Sequence, residues 1–320
     1  MKEIGGYPEF ELKFHGNTYH NAAIGLNLAR NAIVYIIQAK NYQRIYLPRL
    51  IGDSIPAVLR RNSIEYDYYP VNEHCRPLFH HKLGRKEAVL IINYYGQLSE
   101  PEIISYKKMW DRVILDNTQD FFAKPIAGID TVYNARKYFG IPDGAYLYTD
   151  QRVNDSPEKN YSYNKLEYLV GRFEKDAGSF YQKFLEAEES MYLEEPKSIS
   201  AFSENILRGI SYEKVYKTRR KNFCCLHDRL VSLNRWSLSK GGGTYMYPFW
   251  STKGGEVRRR LIAEKIYIPV LWPNVLEEMA EDTPEYQMAE NILPLPIDQR
   301  YTEADMGYLA DKLLNILKEI

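Results

Sequence analysis

Residues 112–149 read RVILDNTQDFFAKPIAGIDTVYNARKYFGIPDGAYLYT. Arg112–Leu115 is an apolar run of the kind that fills a strand covered on both faces, and Asp116 falls where it stops. Asp130–Tyr133 and Ala145–Tyr148 carry the same signature, with the turn Pro142-Asp143-Gly144 between them. In open α/β sheets ligands settle outside the carboxyl ends of the strands, so Asp116 stands at a candidate crevice. Two readings of it stay open. It is a carboxylate that keeps a heterocyclic nitrogen protonated through a charge-assisted hydrogen bond, or it caps the next helix. Lys137 follows the second strand and precedes Gly140. It is a solvated charge, or a Schiff-base nucleophile where desolvation or a nearby cation favours the neutral amine. Arg136 is the adjacent cation, although neighbours along a strand point to opposite faces.

Outward from this block, the first half of the chain alternates helical and strand patterns, the mark of a parallel α/β sheet. Asn27–Lys40 has a broad apolar face and predicts a helix, and Arg44–Leu47 predicts a strand stopped by Pro48. Asp53 is placed to cap a helix through Arg61, with Pro56 in its first turn. Ile64–Val71 and Ala88–Ile92 predict strands, and Pro101–Met109 a helix. The chain reads as helical from about Glu158 to Glu189 and again over Tyr212–Leu233. The remainder predicts strands at Tyr245–Trp250 and Ile266–Ile268 and helices at Glu256–Glu264 and Glu303–Ile320. The expected fold class is α/β. A large domain over residues 1–200 carries a mostly parallel central sheet flanked by helices. A helical connection and a smaller α+β domain occupy 201–320.

The balance of 42 basic against 42 acidic residues removes the simplest case for a nucleic-acid or anionic-membrane partner. No apolar run reaches the roughly 18–20 residues of a membrane-spanning helix. The opening MKEIGGYPEFELKF has no apolar h-region, which predicts no secretory signal. Cys75, Cys224 and Cys225 fit neither a disulfide framework nor zinc spacing. They read as reduced thiols of a cytoplasmic protein, the adjacent pair packed on a helix. His74, His80 and His81 fit no common ligand set, so no metal is expected. Ser239-Lys240-Gly241-Gly242-Gly243 lacks Walker A spacing and reads as a loop, and no G-x-G-x-x-G follows a strand. Trp236, Trp250 and Trp272 read as core.

The order of carboxylate, glutamine, lysine and glycine turn resembles the DegT/DnrJ/StrS family of sugar aminotransferases, which depend on pyridoxal 5′-phosphate (PLP). Leu115-Asp116-Asn117-Thr118-Gln119 is similar to the family's E-D-A-A-Q strand end. Lys137 with Pro142-Asp143-Gly144-Ala145 is similar to its lysine and G-E-G-G turn. Asn93-Tyr94-Tyr95-Gly96-Gln97 resembles its H-L-Y-G-Q loop, and Ala29-Arg30-Asn31-Ala32 stands where it has a G-T-S-A helix start. Residues 291–297 and 302–305 resemble its closing segment and last helix. The likeness is strongest from residue 88 to 150 and thin between 150 and 240.

The resemblance implies that Lys137 is the catalytic residue, tethering PLP as a Schiff base and then shuttling a proton. Asp116 pairs with the pyridine nitrogen, the cofactor's electron sink, and Gln119 meets the ring hydroxyl side. Arg30 and Asn31, at a helix N-terminus, hold the phosphate. Tyr94 and Tyr95 touch the substrate. The implied substrates are a keto sugar, linked to a nucleotide, and an amino donor such as glutamate. The implied setting is polysaccharide or amino-sugar biosynthesis, by a homodimer with its site at the subunit boundary. Retained lysine argues against the family's dehydratase branch, which has histidine there.

Three positions depart from the pattern. Val132 stands where the family has a phosphate-binding serine, and Asn134 is the substitute at hand. Arg49-Leu50-Ile51-Gly52 after Pro48 has no aromatic to stack on the ring. Pro196-Lys197-Ser198 lacks the asparagine that a neighbouring subunit lends. These departures motivate an alternative function, a noncatalytic binding or assembly protein on the same fold.

Overall fold

The computed structural model describes residue 10, residues 16–238 and residues 241–320. Ser239 and Lys240 of the glycine-rich loop lie outside the described residues, as does most of the opening segment. The first half runs β1 (Ile24–Leu26), α1 (Ala29–Lys40), β2 (Arg44–Pro48), α2 (Ser54–Arg61), β3 (Glu65–Tyr69) and β4 (Glu87–Ile92). It continues with α3 (Glu100–Trp110), β5 (Val113–Asp116), β6 (Asp130–Asn134) and β7 (Ala145–Tyr148). Four helices follow: α4 (Glu167–Glu174), α5 (Tyr181–Tyr192), α6 (Ala201–Arg208) and α7 (Tyr212–Leu230). The last part holds β8 (Met246–Trp250), α8 (Gly254–Ala263), α9 (Pro273–Glu278), α10 (Pro284–Asn291), β9 (Ile292–Pro296) and α11 (Glu303–Glu319).

Seven strands form one sheet in the order β1-β7-β6-β5-β4-β2-β3. Pairs β2–β3, β2–β4, β4–β5 and β5–β6 are parallel, while β7 runs antiparallel to both β6 and β1. The parallel strands β4 and β5 are apolar on both faces, and Val89, Leu90, Ile91, Ile114 and Leu115 are all buried. Helix α1 lays Ile33, Ile36 and Ile37 into the same core. Because β1, β4, β5 and β6 all end on one side, residues 27–31, 93–97, 116–119 and 134–137 gather at a single rim.

A second core joins α7, α8 and α11 to the two-stranded β8–β9 sheet through Phe223, Leu226, Tyr247, Phe249, Leu293, Leu295 and Leu313. Its ladder sets Pro248 against Pro294. Neither donates an amide, so the ladder's hydrogen bonds fall to the residues on either side of this pair.

Several local expectations need correction. Asp53 makes no side-chain cap, because its own backbone is helical (φ −61°, ψ −20°) and a cap requires an extended one. The helix expected over 158–189 is broken into α4 and α5. Between them the Asp176 carboxylate accepts from the amide and hydroxyl of Ser179, a local turn that competes with the helix. Ile266–Ile268 forms no strand. Lys265 ends α8 in a left-handed conformation (φ 63°), and Ile268 is apolar because it enters the second core. Of the cysteine pair only Cys225 packs, half-buried against the second core; Phe223, Leu226 and Leu230 take the buried stripe of α7, which leaves Cys224 exposed. Among the described residues no helix is long and apolar enough to cross a membrane.

His20 sits under the β6–β7 face among Phe121, Tyr133 and Tyr146. Its Nε2 donates to the Phe121 carbonyl (2.8 Å), and Nδ1 lies 3.2 Å from the Tyr148 hydroxyl, the pattern of a neutral ring. Burial lowers its pKa to about 4 against an ordinary 6.5, although the carbonyl bond works the other way. A depressed base is protonated first in the unfolded chain, so stability falls as pH drops below 6.5 and the loss is complete near pH 4. The gap amounts to about 3 kcal/mol. We predict that this part of the acid slope in the denaturation midpoint is missing from His20→Gln; an unchanged slope assigns it to other groups.

Candidate functional site

The rim residues are wired to one another before any ligand is considered. Asp116 ends β5 and is 6 % exposed, and its Oδ1 accepts from the Thr118 amide at 2.8 Å. Burial raises its pKa above the usual carboxylate range, opposed by the Thr118 hydrogen bonds and by the charge of Lys137. Geometry puts Asp116 and Lys137 on neighbouring strand ends: β5 and β6 run parallel with Asp116 opposite Val132, and Lys137 stands in the turn directly after β6. The bond to Thr118 makes Asp116 the start of an Asx turn and not the cap of a helix, since no helix follows it before β6.

Lys137 closes a single turn of 3₁₀ helix, Ala135–Lys137, directly after β6. Asn134 caps that turn by accepting from the Arg136 amide at 3.0 Å. The Lys137 side chain is exposed, with Nζ 5.3 Å from the centre of the Tyr245 ring. Arg136 points away and pairs with Glu188 of α5, so it is committed elsewhere. Below the turn Asp143 is fully buried and accepts from Asn160, from the Ser200 amide and hydroxyl, and from Ser203.

Gln119 is buried, and its Oε1 accepts from the Tyr95 amide at 2.7 Å. The NH₂ end is then the one left to meet a ligand. Tyr95 is left-handed (φ 52°), and Gly96 beside it (φ 68°) has no room for a Cβ, which would lie 2.6 Å from Thr244. This turn buries both tyrosine rings. Tyr94 packs on Trp272 and donates to the Leu50 carbonyl at 2.5 Å, and Tyr95 packs on Trp236. The sequence placed Tyr94 and Tyr95 against the substrate; the structure places them in the core, where neither ring is open to one.

Arg30 and Asn31 do start α1 at the rim, and their side chains reach the chain's own segment 191–195, leaving Arg30 Nε and Asn31 Oδ1 without a partner. Arg30 donates to the Met191 carbonyl at 2.6 Å, and Asn31 Nδ2 to Glu194 and Glu195 carbonyls at 3.0 and 2.9 Å. Neither is directed at an anion. After Pro48, Leu50 and Ile51 are buried and Arg49 exposed, so no aromatic stands there.

Tyr245 escaped the sequence reading. It reaches Lys137 because Arg219 of α7, itself buried, donates to the Thr244 and Tyr245 carbonyls (3.1 Å each) and stacks 4.4 Å from the centre of the Tyr138 ring. The Tyr245 amide in turn donates to the Gln119 carbonyl at 3.0 Å. The available sequence signal was Gly243, where a Cβ would come within 2.7 Å of Phe122 and 2.5 Å of Tyr216. Two cavities, of about 590 and 600 Å³, open elsewhere, around His20 and Tyr146 and along α7. Among the described residues no group of three or more His, Cys, Asp or Glu is set to hold a metal.

A pyridine ring with an aldehyde fits what the rim offers: a buried carboxylate for the ring nitrogen, a lysine amine for the carbon, and a glutamine amide beside them. The phosphate end does not match the residues first expected there, since Asn31 and Arg30 donate to backbone carbonyls and Val132 is buried and apolar.

No family model and no curated protein matches the sequence. Solved structures do match in fold. A DegT DnrJ EryC1 StrS aminotransferase from Brucella abortus superposes with TM-score 0.60 at 14% identity, over 92% of this chain and 85% of that one. DesI, solved in the presence of its TDP-sugar product, gives 0.62 at 12% identity over 91% and 79%. A Streptococcus pneumoniae protein in its PLP form gives 0.60 at 10% identity over 93% and 87%. The chain therefore has the fold of the DegT/DnrJ/EryC1/StrS sugar aminotransferases over about 90% of its length.

Proposed function

We propose that this protein is a PLP-dependent aminotransferase that moves an amino group from a donor such as glutamate onto a nucleotide-linked keto sugar. What supports the reading is that Asp116 and Lys137 follow the carboxyl ends of the adjacent parallel strands β5 and β6. PLP, when bound, supplies the electron sink that side chains lack. Asp116, held by Thr118, keeps a proton on the ring nitrogen by offering a fixed negative charge. The Lys137 amine would hold the cofactor through its aldehyde carbon and would carry the proton between the substrate carbon and the cofactor. Asn134 fixes the turn on which that amine is mounted, and Gln119 offers an amide to the ring hydroxyl.

The sugar class and the amino-sugar or polysaccharide setting rest on the proteins that share the fold, among them one solved with a TDP-sugar. In the same reading residues 1–200 bind the cofactor and 201–320 close the site. The protein acts in the cytoplasm, in keeping with its free cysteines, as a homodimer that brings a second chain to the open side of Lys137.

The altered phosphate end favours a second reading, a noncatalytic relative used for binding or assembly. One assay separates them. Protein mixed with PLP, ¹⁵N-glutamate and a nucleotide-linked keto sugar is expected to yield ¹⁵N in the sugar by mass spectrometry. No label, together with no spectral change on adding PLP, leaves the noncatalytic reading.

A further inference from the structure

Resting on that PLP reading, we infer that Tyr245 is a positioning residue for the Lys137 amine, its ring holding the ammonium at the rim. Lys137 stands on a turn of only three residues and is exposed, and its Nζ lies over the Tyr245 ring, 5.3 Å from the centre. An exposed lysine left to itself spreads over many rotamers, and the face of an aromatic ring attracts the ammonium and narrows that spread. The contact favours the charged amine, so what it gives is direction and not nucleophilicity. The ring is itself half-buried and packs beside Tyr138, the centres 6.0 Å apart.

Lysine and tyrosine are fixed relative to one another by a single buried cation. Arg219 is 1 % exposed, and its Nη1 donates to the carbonyls of Thr244 and Tyr245. Its Nε donates to Gln299 Oε1 at 3.0 Å, and its guanidinium lies over the Tyr138 ring. Gln299 Nε2 in turn donates to the Tyr138 carbonyl at 2.7 Å. Tyr138 closes the Lys137 turn, with its amide on the Ala135 carbonyl at 3.0 Å. Arg219 therefore touches both the residue that follows the lysine and the backbone that carries the tyrosine. Asp298, the acid whose charge acts on Arg219, is bound by Arg300 at 2.7 Å, and among the described residues the guanidinium donates to neutral groups. Keeping a cation buried in this way costs desolvation that an apolar side chain avoids. What the cation supplies, and an apolar side chain does not, is a set distance between two groups from opposite halves of the chain.

The test reads the amine directly. Lysines of the full chain are converted to ¹³C-dimethyl-lysine, and the signal of residue 137 is identified by its loss in Lys137→Arg. In wild type that signal is expected upfield of ordinary exposed lysines, shifted by the ring current of Tyr245. Tyr245→Phe should keep the shift and Tyr245→Leu should remove it, a pattern that a change in stability alone does not produce. PLP fixed to residue 137 by borohydride after brief mixing is expected to fall on the order of two- to fivefold in Tyr245→Leu, the factor of an exposed cation–π contact. A wild-type signal without the shift overturns the inference, and so does a shift that persists in Tyr245→Leu. An Overhauser effect between the wild-type methyls and the Tyr245 ring protons reads the same contact, and its absence overturns the inference even if Tyr245→Leu fails to fold. Wild type that fixes no PLP at residue 137 sinks the PLP reading and the purpose inferred for Tyr245 with it. PLP fixed equally fast in wild type and in Tyr245→Leu sinks this inference only.

Discussion

Lys137→Ala is expected to lower amino transfer by at least about 10³-fold while leaving the fold intact. The amine is both the group that takes hold of the cofactor's carbon and the carrier of the proton, so its removal takes away two functions at once. Lys137 is exposed, and among the described residues its ammonium makes no hydrogen bond or ion pair; it lies 5.3 Å from the centre of the Tyr245 ring, and its charge acts on Asp116 without a direct contact. Surface changes of that kind move stability by no more than about 0.5 kcal/mol. The denaturation midpoint of Lys137→Ala should therefore match wild type, and borohydride should no longer fix PLP to residue 137. Lys137→Arg sharpens the result. Arginine keeps the charge over Tyr245 but does not deprotonate in a protein, so it should be as inactive as alanine. A variant with wild-type rate at either substitution places the chemistry on another group.

Asp116→Asn should reduce the rate by about 10²–10³-fold without unfolding the protein. Asparagine preserves shape, and its carbonyl still accepts from the Thr118 amide, so what disappears is the charge that holds a proton on the ring nitrogen. Burial already pushes the Asp116 pKa up, which means that keeping the carboxylate ionised costs free energy in the folded state. The neutral variant should be at least as stable as wild type while being far slower. Single-turnover rates and denaturation midpoints measured together decide the matter. Equal losses of rate and stability assign Asp116 a structural duty in the turn through Thr118 and no more.

The strands that build the rim were readable because parallel strands buried on both faces appear as unbroken apolar runs, as in Ala88–Ile92 and Val113–Leu115. β1 was not, being only three residues with Gly25 at its centre. Nor was α6, whose sign was a single cap, Ser200 accepting from the Ser203 amide. Motif order placed Asp116, Gln119 and Lys137 at the rim, where the folded chain also holds them. The same reasoning failed for Tyr94 and Tyr95. A motif gives chain position, while the left-handed turn at Tyr95 decides which way the rings go, and it sends them inward.

Two features of the site came from tertiary structure alone. Tyr245 reaches Lys137 from the far half of the chain, through a buried arginine that clasps backbone carbonyls. Asn27, Arg30 and Asn31 at the start of α1 meet carbonyls and a carboxylate from residues 191–197, which carry no motif. The sequence by itself determined the buried strands β4 and β5, the acid after β5 and the lysine after β6, since apolar periodicity and local turns are written in neighbouring residues. What lies against a helix end or above a lysine was decided by folding, because those contacts join backbone and side-chain groups from segments with no local sign of one another.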